Sequence, residues 1–351
     1  MKIISIVGAR PQFVKEAIIQ KEIRKYPDIE EIVVHTGQHY DSNMSGVFFD
    51  VLNMRKPEYN LGIHGKGHLE MTAKMMIELE KVMLKELPDI ALLYGDTNST
   101  LAGALVCAKL KIEAAHIEAG LRQEPKDMPE EINRVLTDHI SNWLFASSQL
   151  GVINLGKEGI SKNVHFVGDV MYDVYKEMEA SFEYSLLEKL HLVQGNYIVM
   201  TLHRDFNVDN KEILESILSE VSRIAKELPV VFPFHPHTRK SVENFGLGSY
   251  LKDILVIEPI DYLNLMGLTK YALKIITDSG GYQKEAYFAG KEACILMPDT
   301  SWRELVECGA NILVDSHNLY EAVFKKRSRN VEEGLYGDGH ASEKILRVLH
   351  T

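Results

Sequence analysis

Asp89-Ile90-Ala91-Leu92-Leu93-Tyr94-Gly95-Asp96-Thr97-Asn98-Ser99-Thr100 is the stretch on which the fold of this chain turns. Asp89 to Tyr94 reads as a buried strand, and Leu101 to Leu110 continues as a helix of small and apolar residues. Asp96 thus falls at the carboxyl end of a strand, before a helix that begins among Asn98, Ser99 and Thr100. In doubly wound α/β sheets that crevice is where ligands bind. A helix N-cap is the plainer role open to the same aspartate.

The pattern recurs. Ala114-Ala115-His116-Ile117-Glu118-Ala119-Gly120-Leu121-Arg122 is a second short strand ending in His, Glu and Arg. In Met128-Pro129-Glu130-Glu131-Ile132-Asn133-Arg134, a proline and two acids open a helix. The macrodipole alone favours Glu130 and Glu131 in a first turn, and Arg134 is spaced to pair with one of them. Three carboxylates at successive strand ends or helix starts on one sheet edge point further, to acid/base chemistry.

The same alternation runs through the chain. Strands are expected at 2–7, 31–36, 89–94, 112–117, 142–146 and 164–167, and again at 197–202, 229–234, 254–258, 273–277, 293–297 and 311–314. Amphipathic stretches lie between them, the βαβ signature of parallel sheets. A polar, helix-prone stretch from Tyr172 to about Leu190 joins the halves, and a last helix runs from Ala341 to His350. With 351 residues, more than one core is expected. The fold class is therefore α/β with two Rossmann-like domains, at 1–170 and 171–335, whose parallel sheets face a cleft. Residues 336–351 form a terminal segment.

A hydrophobic content of 45% and a charged content of 25% are those of an ordinary globular protein. The net charge of −11 argues against a general nucleic-acid binder and permits local basic pockets. No apolar run approaches membrane-spanning length, and Lys2 to Val7 is too short for a signal-peptide core. Cys107, Cys294 and Cys308 are odd in number and lack metal spacing, so a cytoplasmic setting is expected.

Gly8-Ala9-Arg10-Pro11-Gln12-Phe13-Val14-Lys15 follows the first strand and opens a helix. Its backbone N–H groups, with Arg10 and Lys15, could hold an anion. The second and third glycines of a dinucleotide fingerprint are missing. Gly151 to Glu158 approaches a P-loop but has Glu where Ser or Thr must bind magnesium, and lies in a helical pattern. Thr277-Asp278-Ser279-Gly280-Gly281-Tyr282-Gln283-Lys284-Glu285 sits between strand and helix. Its glycines would let amides approach a diphosphate, Ser279 could donate to it, and Glu285 is spaced for ribose hydroxyls. Thr201-Leu202-His203-Arg204 ends the first strand of the second half with two candidate cations. His235-Pro236-His237 with Arg239 lacks a third metal ligand nearby, and metal-free, cofactor-free chemistry is expected.

Together these runs resemble the non-hydrolysing UDP-N-acetylglucosamine 2-epimerase family. Further matching runs are Thr36-Gly37-Gln38-His39-Tyr40-Asp41, Gly168-Asp169-Val170 and Asn207-Val208-Asp209-Asn210. The resemblance implies a GT-B-like fold whose last helix packs back on the first domain, and a homodimer. It implies that Arg10, Lys15 and His203 face the UDP diphosphate, that Ser279, Gly280 and Gly281 hold phosphate, and that Glu285 binds ribose. Asp96, Glu118 and Glu130 match the family's catalytic carboxylates, and His203 joins them in the catalytic set. The implied reaction inverts C2 of a UDP-2-acetamido sugar by eliminating UDP to a glycal and adding it back.

Departures leave the sugar open. Many relatives carry Thr-Arg-Pro-Glu where this chain has Ala9-Arg10-Pro11-Gln12, and the Gly-Ala-Arg-Pro-Gln-Phe subgroup includes enzymes acting on UDP-2,3-diacetamido-glucuronic acid. Asp205-Phe206 follow His203-Arg204 where relatives show Ala-Glu or Arg-Glu. Met297 to Trp302 has lost an Arg and a Glu, and Leu265 replaces an aromatic that often flanks the uracil. Tyr40-Asp41-Ser42-Asn43 does not keep the bacterial regulatory pattern. A hydrolysing epimerase, a GT-B glycosyltransferase and a nucleotide-sugar-binding protein stand as alternatives.

Overall fold

A computed structural model describes residues 1–37, 53–65, 67–325 and 334–350. Gln38 to Asn43, which carry the end of the Thr36 run and the regulatory pattern, lie outside the described residues. Two compact units divide the chain, Met1–Glu177 with Gly334–Thr351, and Met178–Glu333.

The first unit is built on a sheet of strands β1 (Lys2–Val7), β2 (Glu30–His35), β3 (Tyr59–Asn60), β4 (Ile90–Tyr94), β5 (Glu113–Ala119), β6 (Trp143–Ala146) and β7 (Val164–Phe166). They lie in the order β3-β2-β1-β4-β5-β6-β7, and every pair is parallel. Helices α1 (Arg10–Ile23), α2 (His68–Glu86), α3 (Asn98–Leu110), α4 (Pro129–Ile140), α5 (Gln149–Lys157) and α6 (Val170–Met178) connect them. Covered on both faces, the strands need no polar side, which is why β4 reads Ile-Ala-Leu-Leu-Tyr without alternation and is buried throughout. On one face Ile4, Ile6, Ala91 and Leu93 pack with Met75, Leu79 and Met83 of α2 and with Ala102 and Val106 of α3.

The second unit repeats the plan. Strands β8 (Ile198–Thr201), β9 (Val230–Pro233), β10 (Leu255–Ile257), β11 (Lys274–Thr277), β12 (Glu292–Ile295) and β13 (Asn311–Leu313) lie in the order β10-β9-β8-β11-β12-β13, all parallel. Its helices are α7 (Ser185–Lys189), α8 (Asp205–Val208), α9 (Lys211–Ala225), α10 (Pro236–Phe245), α11 (Tyr262–Tyr271), α12 (Gly280–Phe288), α13 (Arg303–Glu307) and α14 (Leu319–Phe324).

The expected strands are all present to within two residues at either end, β5 running on two residues to Ala119. The one missed, Tyr59–Asn60, is two residues long and pairs only with the end of β2, too short to leave a pattern. The helix-prone stretch 172–190 is broken into α6, a single tight turn at Glu179–Ser181, and α7. The last helix, α15 (Ala341–Leu349), belongs to the first unit and packs on α1. Its first turn borrows a cap: Asp173 of α6 accepts the N–H groups of Ala341 at 2.9 Å and Ser342 at 2.7 Å.

Both sheets reverse their winding at a switch point, between β1 and β4 in one unit and between β8 and β11 in the other. Loops leaving the carboxyl ends of adjacent strands diverge there and leave room for a ligand.

Candidate functional site

In the first unit the segments at the switch point are Gly8–Arg10 after β1 and Gly95–Thr97 after β4, with Glu118 beside them at the end of β5. Gly8 permits this closeness: a Cβ there would stand 2.0 Å from Ser99 Oγ and 2.5 Å from Thr36 Oγ1. The cap of α3 is Thr97, whose hydroxyl accepts the Thr100 N–H. Asp96 is therefore no N-cap. Its carboxylate is instead ion-paired with Arg134 of α4, and its carbonyl accepts from Asn133 Nδ2 at 2.9 Å.

Arg134 is 5% exposed and also reaches Glu131 at 2.8 Å. Burial pushes the Glu131 carboxyl above its ordinary value, against the pull of Arg134 and of the Gln123 N–H. Glu130 stands differently. It lies in the exposed first turn of α4, and the buried ion-paired member of the Glu-Glu pair is Glu131.

Glu118 sits where the register between β5 and β6 slips, with φ of +78°, a conformation non-glycine residues rarely hold. Its side chain is ion-paired with Lys15 of α1, their exposures 10% and 7%. Lys15, expected beside a diphosphate, here neutralises one of the candidate carboxylates. Arg10 is the first residue of α1 and is half-buried.

The backbone amides that could have held an anion at this helix start are partly spent. Gln12 Oε1 accepts the N–H of Gly8 at 2.7 Å and of Ala9 at 3.0 Å. Gln12 Nε2 donates to Tyr94 O at 2.6 Å and lies 2.9 Å from Thr97 Oγ1. Sequence reading passed over this clamp between α1 and the end of β4, although a glutamine three residues after an N-cap is its signal.

In the second unit the switch-point segments are His203–Arg204 after β8 and Asp278–Gly281 after β11. Asp278 is fully buried and ties them, accepting the N–H groups of His203 at 3.0 Å and Arg204 at 2.8 Å and the Asn207 amide at 3.2 Å. His203 Nδ1 lies 3.3 Å from it. Burial pushes the His203 imidazole below its ordinary value, outweighing the Asp278 charge.

Ser279 caps α12 by accepting the Tyr282 N–H, which leaves its hydroxyl hydrogen available to a ligand. Gly280 and Gly281 form the first turn, and a Cβ at Gly280 would lie 3.8 Å from Arg204 Nη2. Glu285 is half-buried one turn further on. Trp302 braces this turn, donating from Nε1 to Gly280 O at 3.0 Å while the Lys284 ammonium lies 3.8 Å from its ring centre. Among the described residues, Asp205, Asp209 and His237 offer ligand atoms within 4.8 Å of one another that could hold a cation. His237 Nε2 is already bonded to Asp209 at 2.7 Å, and all three are solvent-exposed to some degree.

Comparison with known proteins bears on both units. The family model described as UDP-N-acetylglucosamine 2-epimerase matches residues 21–350. A UDP-N-acetylglucosamine 2-epimerase homolog of Methanococcus maripaludis is 46% identical, with 99% of each chain covered. The UDP-2,3-diacetamido-2,3-dideoxy-D-glucuronate 2-epimerase of Pseudomonas aeruginosa is 43% identical, also covering 99% of each. The crystal structure of Methanocaldococcus jannaschii UDP-GlcNAc 2-epimerase in complex with UDP-GlcNAc and UDP superposes with a TM-score of 0.86 at 42% identity, covering 100% of this chain and 99% of that one. Two parallel doubly wound units and agreement along nearly the whole length converge: the chain belongs to the UDP-N-acetylglucosamine 2-epimerase family.

Proposed function

We propose that the chain is a UDP-sugar 2-epimerase that inverts C2 of UDP-N-acetylglucosamine by eliminating UDP to a glycal and adding it back. The observation that carries this reading is the pair of carboxylates at the ends of adjacent strands, Asp96 and Glu118, each ion-paired with a buried cation. A C2 proton beside an amide nitrogen is a weak acid, so C1–O cleavage must lead or accompany its removal. Carboxylates stabilise positive charge on the ring as UDP departs, and cations stabilise the leaving diphosphate. Inversion exchanges a proton on opposite ring faces and so needs more than one acid/base group.

In this reading Asp96, Glu118 and Glu130 are those groups. His203 joins them in the catalytic set, Ser279, Gly280 and Gly281 hold phosphate, and Glu285 holds the ribose. Arg10 and Lys15 add charge toward the diphosphate. The enzyme works as a homodimer in the cytoplasm, with no nucleic-acid or membrane partner. No helix among the described residues is long and apolar enough to cross a membrane.

A second substrate is the alternative, since a relative named for a diacetamido uronic acid is 43% identical, beside 46% for the UDP-N-acetylglucosamine 2-epimerase homolog. Proton NMR in deuterated water decides. A UDP-linked manno product carrying deuterium at C2 is expected from UDP-N-acetylglucosamine. Free N-acetylmannosamine with UDP would mark the hydrolysing type, and inertness toward UDP-N-acetylglucosamine alongside turnover of UDP-2,3-diacetamido-glucuronic acid would move the assignment to that sugar. Inertness toward both would sink it. Asp96→Asn and Glu118→Gln should each lose epimerisation while retaining the fold and UDP binding.

A further inference from the structure

Gly95, the residue before Asp96, and Glu118 place two of the candidate carboxylates, and neither has ordinary strand geometry. Gly95 has φ of +62° and Glu118 φ of +78°. A glycine in that region can leave it at little cost, and a glutamate stays there only when its surroundings over-determine it. What over-determines both is one buried network.

His116 lies on β5 in register with Leu93 and is fully buried. Its Nε2 donates to Gly95 O at 2.7 Å, since a carbonyl only accepts, and its Nδ1 meets Asp138 Oδ1 of α4 at 2.7 Å. The other Asp138 oxygen accepts the Gly120 N–H at 3.1 Å and Arg122 Nη1 at 2.7 Å. The Gly95 N–H in turn donates to Ile117 O at 3.0 Å. A single carboxylate, 1% exposed, therefore grips the chain two residues after Glu118 directly and the residue before Asp96 through one imidazole. Burial opposes its charge, yet His116 and Arg122 outweigh that and hold Asp138 below the ordinary carboxylate value.

We propose that Asp138 and His116 are positioning residues that set the mutual placement of the Asp96 and Glu118 carboxylates through the backbone at Gly95 and Gly120. The inference rests on the epimerase reading for its kinetic consequence and on geometry for the rest. Neither side chain is free to touch substrate, because both nitrogens of His116 and both oxygens of Asp138 are occupied within the protein. Their contribution is to hold acid and base in register with the ring, where a shift of about 1 Å costs on the order of 100-fold in rate.

The test compares Asp138→Ala, Asp138→Asn and the wild type. Asp138→Ala is expected to lose on the order of 100-fold in kcat with UDP affinity unchanged. Asp138→Asn can turn its oxygen toward Gly120 and Arg122 and its amide toward Nδ1, so it should recover most of that loss. Hydrogen exchange at residues 94–98 and 117–121 should quicken in Asp138→Ala and return toward normal in Asp138→Asn. Wild-type kcat in a folded Asp138→Ala, or loss of UDP affinity in step with kcat, would overturn the proposal.

Should Asp138→Ala fail to fold, His116→Gln and His116→Asn carry the comparison. Only Gln keeps a donor within reach of Gly95 O, so Gln above Asn in kcat supports the relay and equality removes it. If the wild type turns over neither UDP-sugar, the epimerase reading falls, while the exchange measurement still reads the relay.

Discussion

Lys15 on α1 and Glu118 at the end of β5, 103 residues apart in sequence, form an ion pair with both side chains almost sealed from solvent. Two charges taken from water repay their desolvation only together, and breaking such a pair costs about 3–5 kcal/mol. Lys15→Met should therefore destabilise the protein by about that much in urea unfolding. The double variant Lys15→Met/Glu118→Gln should regain a large part of it, because no uncompensated buried charge remains. Equal stability of the single and double variants would show that the pair is not coupled.

Glu130 and Glu131 are neighbours with opposite expectations. Glu131→Gln removes one of the two carboxylate partners of a buried guanidinium, Asp96 being the other, and should lower the melting temperature by several degrees. Glu130→Gln lies on an exposed first turn and should change stability by no more than about 0.5 kcal/mol. If Glu130 is an acid/base group, the same substitution nonetheless removes most of kcat. Thermal melts and kinetics of both variants separate the two roles.

Trp302 braces the first turn of α12 from the Met297–Trp302 segment. Trp302→Phe keeps the ring beneath Lys284 and loses the hydrogen bond to Gly280, a change of about 1 kcal/mol. It should raise KM for the UDP-sugar several-fold and leave kcat at saturation near wild type. A fall in kcat with KM unchanged would place this brace elsewhere in the reaction.

Glu16 sets a pH dependence of stability. It is fully buried on α1, it accepts from the Tyr94 hydroxyl, and burial followed by the nearby Glu31 charge raises its carboxyl well above the ordinary value. The folded protein thus keeps a proton that the unfolded chain releases near about 4.3. Stability from this group is full below that unfolded value and is lost as pH rises through the folded one. Glu16→Gln, neutral throughout, should flatten the decline that sets in above the unfolded value in urea-unfolding profiles, and a decline identical to wild type would exclude Glu16 as its source.

The sheets were legible because a strand buried on both faces announces itself locally. Ile-Ala-Leu-Leu-Tyr at β4 and Ile-Val-Met-Thr at β8 need no knowledge of their neighbours. The loops after them were legible for the same reason, since Gly95-Asp96 and Ser279-Gly280-Gly281 are turn and cap chemistry written in consecutive residues. The ordered motifs carried the family as well.

Which side chain meets which is another matter. Asp138 carries no sequence signal of its own, yet it organises the ends of β4 and β5; Gln12, within the run that opens α1, is a clamp onto the end of β4. Lys15, expected beside a diphosphate, is ion-paired with Glu118. Of two adjacent glutamates, the helix phase turned one inward to Arg134 and left the other in solvent. Local pattern determines burial and backbone shape because both depend on near neighbours. Ion pairs and buried hydrogen bonds join residues 16 to 103 positions apart, and only the order of the strands brings those partners within reach.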